Sequence, residues 1–202
     1  EPRPGQIDFE IEYARQFGTV SESDQPAALK RDVSAWFVHV EIGRQWAGDW
    51  DPRLSAEIEW ASGDHGGRHF NRFDTLYGSR RPDLGPTGIF GALTRANIIA
   101  PALRGEVAPD KRSDAFIAWR PLWLASRTDA FSATGVRDRA GRSGRFAGHQ
   151  IEARIRRWLV PERLRAEVSA ATLFKGHFLR DAPNATDTGD SKYVAMALTA
   201  FF

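Results

Sequence analysis

The chain contains no cysteine, and its hydrophobic runs are all short. The absence of Cys from 202 residues excludes thiolate metal sites and disulfide scaffolds. No stretch approaches the roughly 18 consecutive apolar residues that a spanning helix requires, so a helical membrane protein is excluded. The other structure that can cross a bilayer is a closed β-barrel, whose strands need only about 9 to 11 residues and can be polar on the inner face.

The chain also has little net charge, since 28 Lys and Arg residues face 26 Asp and Glu residues, which leaves +2. This balance favours no nucleic-acid partner. No low-complexity segment divides residues 1–202, so a single domain is expected. The polar, turn-like start at Glu1–Gln6 does not have the form of a signal peptide, and we expect a mature, trimmed or fragmentary chain.

What the chain does have is a period of two. Ile7, Phe9, Ile11 and Tyr13 fall on one face of an extended strand, and the acidic residues between them fall on the other. The same alternation recurs in Leu54–Trp60, Ile151–Arg156 and Leu164–Ser169, and less regularly in Val33–Trp46, Asn97–Ala108, Ala115–Leu124 and Tyr193–Phe202. These segments predict about eight antiparallel strands without a helix between them, which is an all-β fold.

The connections between these strands alternate in length along the chain. Four are long and rich in Gly, Asp, Ser and Pro: Gly18–Arg31, Ser62–Arg95, Ser126–Arg145 and Gly176–Asp190. Three are brief turns: Ala47–Pro52, Pro109–Arg112 and Pro161–Arg163. Long loops on one rim and short turns on the other are typical of up-and-down transmembrane barrels, with the short turns in the periplasm.

Aromatic residues near the strand ends support a membrane location. We expect interfacial girdles from Trp36, Trp46, Trp60, Trp119, Trp123, Trp158, Phe174 and Tyr193. The terminal Phe202, on an alternating strand, is a feature that the outer-membrane assembly machinery recognises, so this machinery, lipid and lipopolysaccharide are the expected partners. The alternative is a soluble barrel or sandwich whose apolar face packs into a core and whose charged face meets water.

Three phrases of the sequence resemble the alginate export family of outer-membrane porins. They are Arg53–Asp64, Phe73–Gly78 and Gly85–Gly88, together with the last strand reaching Phe202. The resemblance implies a bacterial outer-membrane channel for alginate, built as a large single-chain barrel of about eighteen strands. The resemblance also implies that the chain is the C-terminal part of that barrel. Transport would require the larger assembly, because an eight-stranded barrel is filled by its own side chains.

The charged face is expected to line the lumen, where it would meet an anionic or other polar solute. Strand parity selects as solute-binding candidates Arg104, Arg120, Arg154, Arg156, Arg165, Lys175, Glu57, Glu59 and Glu167. Arginine suits uronic-acid carboxylates because of its forked guanidinium. An equally weighted interpretation is that these arginines pair with glutamates on neighbouring strands and stiffen the wall.

Other functions find less support in the sequence. No nucleophile elbow or phosphate-binding glycine loop occurs, so no catalytic residue and no cofactor are predicted; a barrel enzyme would need His149 to face a serine across the lumen. His65 and His69 lie in a Gly-rich loop and are not predicted to bind metal. A small closed barrel for adhesion or support is the remaining alternative, and closure of the sheet would distinguish it.

Overall fold

The computed structural model describes residues 4–25, 27–75, 84–85 and 93–202. Within them lie nine strands and one short helix: β1 Ile7–Ser21, β2 Lys30–Gln45, β3 Arg53–Ala61, β4 His69–Phe70, β5 Ile98–Asp110, β6 Ser113–Trp123, β7 Phe146–Val160, β8 Leu164–Lys175, α1 His177–Asp181 and β9 Ser191–Ala200. The predicted loop Ser62–Arg95, and with it parts of the phrases Phe73–Gly78 and Gly85–Gly88, falls partly outside the described residues.

The strands form one sheet in the order β1-β2-β3-β5-β6-β7-β8-β9, with the two-residue β4 beside β2. Each long strand pairs antiparallel with its neighbour in the chain, and β4 pairs parallel with β2. The predicted all-β, antiparallel, up-and-down arrangement is confirmed. Across the described residues β1 and β9 do not pair with each other, so the sheet is not closed.

The connections alternate as predicted. Residues 22–29, 62–97, 124–145 and 176–190 leave one end of the sheet, which we call the long-loop end, and residues 46–52, 111–112 and 161–163 leave the opposite, short-turn end. The first loop is shorter than the predicted Gly18–Arg31, because β1 and β2 stay paired out to Ser21 and Lys30. This β1–β2 arm runs seven residue pairs beyond Phe37–Ala61, the last pair between β2 and β3.

A one-turn helix lies in the last long connection, where no helix was expected. Gly176 precedes α1 in an extended conformation, and Phe178 and Leu179 are buried. Burial of these two side chains holds the turn, since a helix of five residues has little stability of its own. Among the described residues, the structure has no helix that is long and apolar enough to cross a membrane.

The sheet exposes its apolar face and buries much of its charged face, which is the reverse of the arrangement in a soluble protein. Phe9 and Ile11 on one face are 75% and 68% exposed, whereas Glu59 and Arg120 on the other are 0% and 2% exposed. The same arrangement continues through Leu54, Leu103, Ile117, Ile155, Val168, Val194, Met196 and Leu198, all exposed on the apolar face. A soluble sheet would bury these side chains, so the expectation of a water-facing charged surface over an apolar core does not fit this fold.

A compact apolar cluster lies on the polar face near the long-loop end. It contains the wall residues Ala35, Phe37, Ala61, Ile98, Ala100, Leu122, Ala147 and Leu173, and the loop residues Phe73, Leu84, Leu93, Leu124, Phe131, Phe178, Leu179 and Ala182. The Phe37 and Phe73 rings, with centroids 5.6 Å apart, join wall to loop. The long loops therefore fold back against the polar face and do not simply extend into solvent.

Candidate functional site

The pairing register decides which side chains share the polar face. Glu57 opposes Ala102, Arg104 opposes Ala118, and Glu152 opposes both Ala118 and Ala171. By the same register the nine predicted solute-binding residues lie on this face: Arg104, Arg120, Arg154, Arg156, Arg165, Lys175, Glu57, Glu59 and Glu167. Phe37 and Arg120 are on the polar face, and their neighbours Trp36 and Trp119 are on the apolar face.

Arg53 forms the centre of an ion-pair cluster toward the short-turn end. Its guanidinium donates to Asp8 on β1 at 2.5 Å, Glu41 on β2 at 2.6 Å and Glu106 on β5 at 2.8 Å. Arg104 adds a second bond to Glu106 at 3.2 Å. One arginine on β3 thus holds carboxylates from three other strands, which fixes four strands of the wall in register.

Arg120 is the most deeply buried cation of the wall. It donates to Glu57 on β3 and lies 3.8 Å from Glu152 on β7. All three side chains are almost inaccessible. Burial of an arginine between two carboxylates is what cross-strand stiffening requires, because a buried cation is costly unless its carboxylate partners remain in place.

Arg95, in the connection before β5, contacts two carboxylates of the sheet near the apolar cluster. Arg95 Nη1 lies 3.3 Å from Glu12 on β1, its Nε lies 3.4 Å from Glu59 on β3, and its guanidinium is 4.1 Å from the centre of the Phe37 ring. Glu59 also bonds His39 Nδ1 at 2.8 Å. The connection between β3 and β5 is therefore tied to the wall by charge as well as by apolar contact.

Arginines predominate on β7. Arg154 and Arg156 share Asp114 of β6, at 3.3 Å and 2.9 Å. The ring of Phe116 packs between two guanidiniums, with Arg104 3.9 Å and Arg154 4.7 Å from its centroid. Stacking on an aromatic ring keeps these planar cations extended along the wall.

The two remaining predicted cations lie at opposite ends of the sheet. Arg165 contacts the Trp158 and Phe201 rings, with its Cζ 5.5 Å and 5.6 Å from their centroids, near the short-turn end. Lys175 bonds Asp187 at 3.2 Å in the last long connection. The structure therefore separates these two residues from the mid-wall group around Arg120.

Sequence reasoning missed three charged residues that organise the wall. Arg53 could have been found, because it shares strand parity with Glu57 and Glu59. Asp114 was hidden by the irregular start of β6, and the position of Arg95 depends on long-range folding of a loop that no periodicity describes. Tyr193 was predicted in the interfacial girdle, but it opposes buried Ala171 and lies on the polar face. The girdle was predicted from position near the strand ends, which does not establish the face on which a side chain lies.

The histidines do not assemble a reactive site. His149 stacks against Trp119 on the apolar face, with ring centroids 5.8 Å apart, so it does not face a serine across the polar side. His69 lies in β4 and His65 in the loop before it. Over the ranges that the structure describes, no three His, Cys, Asp or Glu side chains converge in a way that could hold a metal ion.

Asp64 anchors the loop that follows β3. Arg31 donates to both of its carboxylate oxygens, at 3.0 Å and 2.9 Å, and the Asn71 N–H donates at 3.2 Å. Partial burial alone would raise the pKa of Asp64, but these hydrogen bonds and the charge of Arg31 bring it below its ordinary value. The anchor is therefore strongest when this carboxylate is ionised.

Comparison with known proteins agrees with the inverted, charged sheet. A search of curated proteins found no match. The family model described as "Alginate export" matches residues 2–190, which is nearly the whole chain. The chain belongs to the alginate export family, a family of transport porins of the outer membrane.

Proposed function

We propose that the polar face is one sector of the lumen wall of an outer-membrane channel that passes a polar solute, with an alginate-like anionic polysaccharide as the candidate that the family suggests. The observation that carries the proposal is the inversion of the two faces. Arg or Lys facing lipid at mid-depth costs about 2 to 4 kcal/mol, which the wall avoids by directing its charges to the polar side.

The charges that do face outward support the same placement. Arg15 lies level with Trp36 beyond the end of β3, and Arg44, Arg157 and Lys192 lie close to strand ends. Trp36 and Trp60, whose ring centroids are 5.1 Å apart, lie at the long-loop end of this face. Charges and tryptophans at the edges of an apolar band are what the two interfaces of a bilayer select.

A sector of this kind needs further strands beside it. Hydrocarbon cannot satisfy the backbone groups of an open sheet edge, and within the described ranges β1 and β9 each have one long neighbour. We therefore place residues 1–202 as a single domain within a larger barrel of about eighteen strands, in which the lumen is wide enough to conduct. Closure of the described sheet on itself, as in a small adhesion barrel, lacks a β1–β9 pairing.

The sidedness follows from loop length. The long-loop end faces outward toward lipopolysaccharide, and the short-turn end faces the periplasm. The β9 strand and the exposed Phe202 form the segment that the barrel assembly machinery would engage. No catalytic step belongs to this proposal, because the wall residues serve transport.

Single-channel conductance in planar bilayers tests the function. The 202-residue chain and its complete reading frame are each measured, with and without mannuronate oligomers. Openings from the complete frame that the oligomers interrupt support an anion-conducting channel. Folded, inserted protein without openings from either chain refutes the channel.

A matched pair of variants tests whether the polar face lines the lumen. Arg156 and its neighbour Arg157 lie on opposite faces of β7. Arg156→Glu should shift the ion selectivity of the open channel toward cations, because it reverses a charge beside the ion path. Arg157→Glu should leave selectivity unchanged. Equal effects of the two variants would contradict the assignment of faces.

A further inference from the structure

A shallow groove lies on the apolar face of the sheet near the short-turn end. Its volume is about 260 Å³, and the residues that line it include Ile42, Arg44, Trp46, Leu54, Ala56 and Leu103. Ala56 forms the floor, because the register places it between the larger Ile42 on β2 and Leu103 on β5. The outward-facing side chains of the groove are aliphatic except for Arg44 and Trp46. The groove therefore combines an apolar surface with one cation.

Arg44 and the floor of the groove lie at different depths. Arg44 opposes Leu54, one residue before the end of β2. The next outward-facing pair is Ile42 with Ala56, so Ala56 is two residues, or about 7 Å, farther from the short-turn end. With the short-turn end in the periplasm, Arg44 and Trp46 lie where the bilayer meets water, and the aliphatic floor lies toward its centre. A molecule that fits the groove must be polar at one end and apolar at the other.

Arg44 forms no ion pair with any carboxylate in the described ranges of the chain. Its Cζ lies 5.6 Å from the centre of the Trp46 ring, and the side chain is exposed. Arg157, another outward-facing arginine near the short-turn end, instead bonds Ser113 at 2.9 Å and lies 3.7 Å from Asp110. A guanidinium without a carboxylate partner can bind a phosphate through two parallel N–H donors. Arg44 is therefore the better placed of the two arginines to bind an anion.

We propose that this groove binds one glycerophospholipid of the periplasmic leaflet. The phosphate of the lipid lies on Arg44, and one acyl chain fills the groove along Ala56. The turn 46–52 also carries Asp49 and Asp51, which favour a headgroup that bears an ammonium beside its phosphate. Phosphatidylethanolamine has both groups and serves as the probe. The site rests on the proposed function only in that the apolar face must meet lipid.

Native mass spectrometry of the complete chain tests the site. The protein is released from phosphate-free maltoside micelles to which phosphatidylethanolamine, or a diacylglycerol with the same acyl chains, has been added. The two probes differ only in the phosphoethanolamine group, so a difference in retention measures what the headgroup contributes. Phosphatidylethanolamine should be retained as a single molecule and at least about tenfold more tightly than the diacylglycerol, which is a difference of about 1.4 kcal/mol.

Two pairs of variants locate the bound lipid. Arg44→Gln should weaken retention of phosphatidylethanolamine at least about tenfold, because it removes the phosphate-binding cation. Arg157→Gln should change that retention by less than about twofold. Ala56→Leu fills the groove and should weaken retention of both probes, whereas Ala166→Leu, on the outward side of β8, should not. Either pair preserves the test if a variant of the other pair fails to fold.

Equal retention of the two probes, or equal losses in Arg44→Gln and Arg157→Gln, would overturn the site. Those results would leave the channel proposal intact if the protein conducts. A protein that never conducts but retains phosphatidylethanolamine through Arg44 would instead reject the channel and keep the site. The lipid measurement and the conductance measurement can therefore fail independently.

Discussion

The side-chain amide of Asn97 pairs with both backbone groups of Ser126. The Ser126 N–H donates to Oδ1 at 2.6 Å, and Nδ2 donates to the Ser126 carbonyl at 3.0 Å and to that of Ala130 at 3.0 Å. Asn97 adopts a positive φ of 47°, which asparagine tolerates better than most residues. One fully buried residue thus joins the connection before β5 to the connection after β6.

Asn97→Leu should loosen the loops without unfolding the wall. The substitution removes the partners of buried backbone groups, which costs about 1 to 3 kcal/mol for each group left unsatisfied. Hydrogen exchange should accelerate in residues 126–131 while β5 and β6 stay protected. Unchanged exchange in this segment would show that the amide pairing is not what holds the loops together.

Arg53→Met should destabilise the wall by about 3 kcal/mol, because it leaves the partly buried carboxylates of Asp8 on β1 and Glu41 on β2 without this cation and leaves Glu106 on β5 with Arg104 alone. The measurement is urea unfolding of protein folded into lipid vesicles. Arg157→Met is the matched control, since that exposed side chain makes only surface contacts worth about 0 to 1 kcal/mol. Similar losses for both variants would contradict the central role of Arg53.

Leu103→Arg tests the lipid face. Leu103 is exposed midway along the wall, opposite Ala56 and Trp119. Arginine there should cost about 2 to 4 kcal/mol in lipid vesicles, whereas Leu159→Arg beside a short turn should cost about 0 to 1 kcal/mol. Equal stability of the two variants would indicate that this face does not meet lipid at depth.

Gly148→Ala should destabilise β7 by about 1 to 3 kcal/mol. Gly148 has a φ of 142°, and a Cβ atom there would collide with the Phe174 carbonyl oxygen and lie 2.9 Å from the Gly176 nitrogen. Gly105→Ala is the control, because nothing lies within 4 Å of a Cβ at that strand glycine. The comparison of their urea midpoints separates collision from the general effect of adding a methyl group.

The anchor at Asp64 should weaken in acid. Its carboxyl has a lowered pKa in the folded state, so its contribution to stability is complete above the unfolded value of about 3.9 and is lost as pH falls through the lower folded value. A carboxyl-carbon NMR titration should show the lowered pKa, and Arg31→Gln should raise it. An ordinary pKa in the parent protein would contradict the anchor.

The strands of the sheet could be predicted from the sequence more completely than the loop segments that pack against its polar face. Alternation in Ile7–Tyr13 and Leu54–Trp60 was enough to assign strands and faces, because a period of two is a local property. Arg95 and the helix around Phe178 escaped prediction, since both depend on loops folding back onto the polar face.

The β1–β2 arm provides an exposed site at which the protein can be labelled. Seven further residue pairs reach about 24 Å past the end of β3 at about 3.4 Å per residue, and the arm ends in the exposed tip around Ser23 and Asp24. With the sidedness proposed above, this tip lies outside the cell, where an antibody can reach it. A short epitope inserted there should be accessible to antibody on intact cells. Immunofluorescence would then report the amount and the orientation of the protein without a substitution in the strands of the sheet.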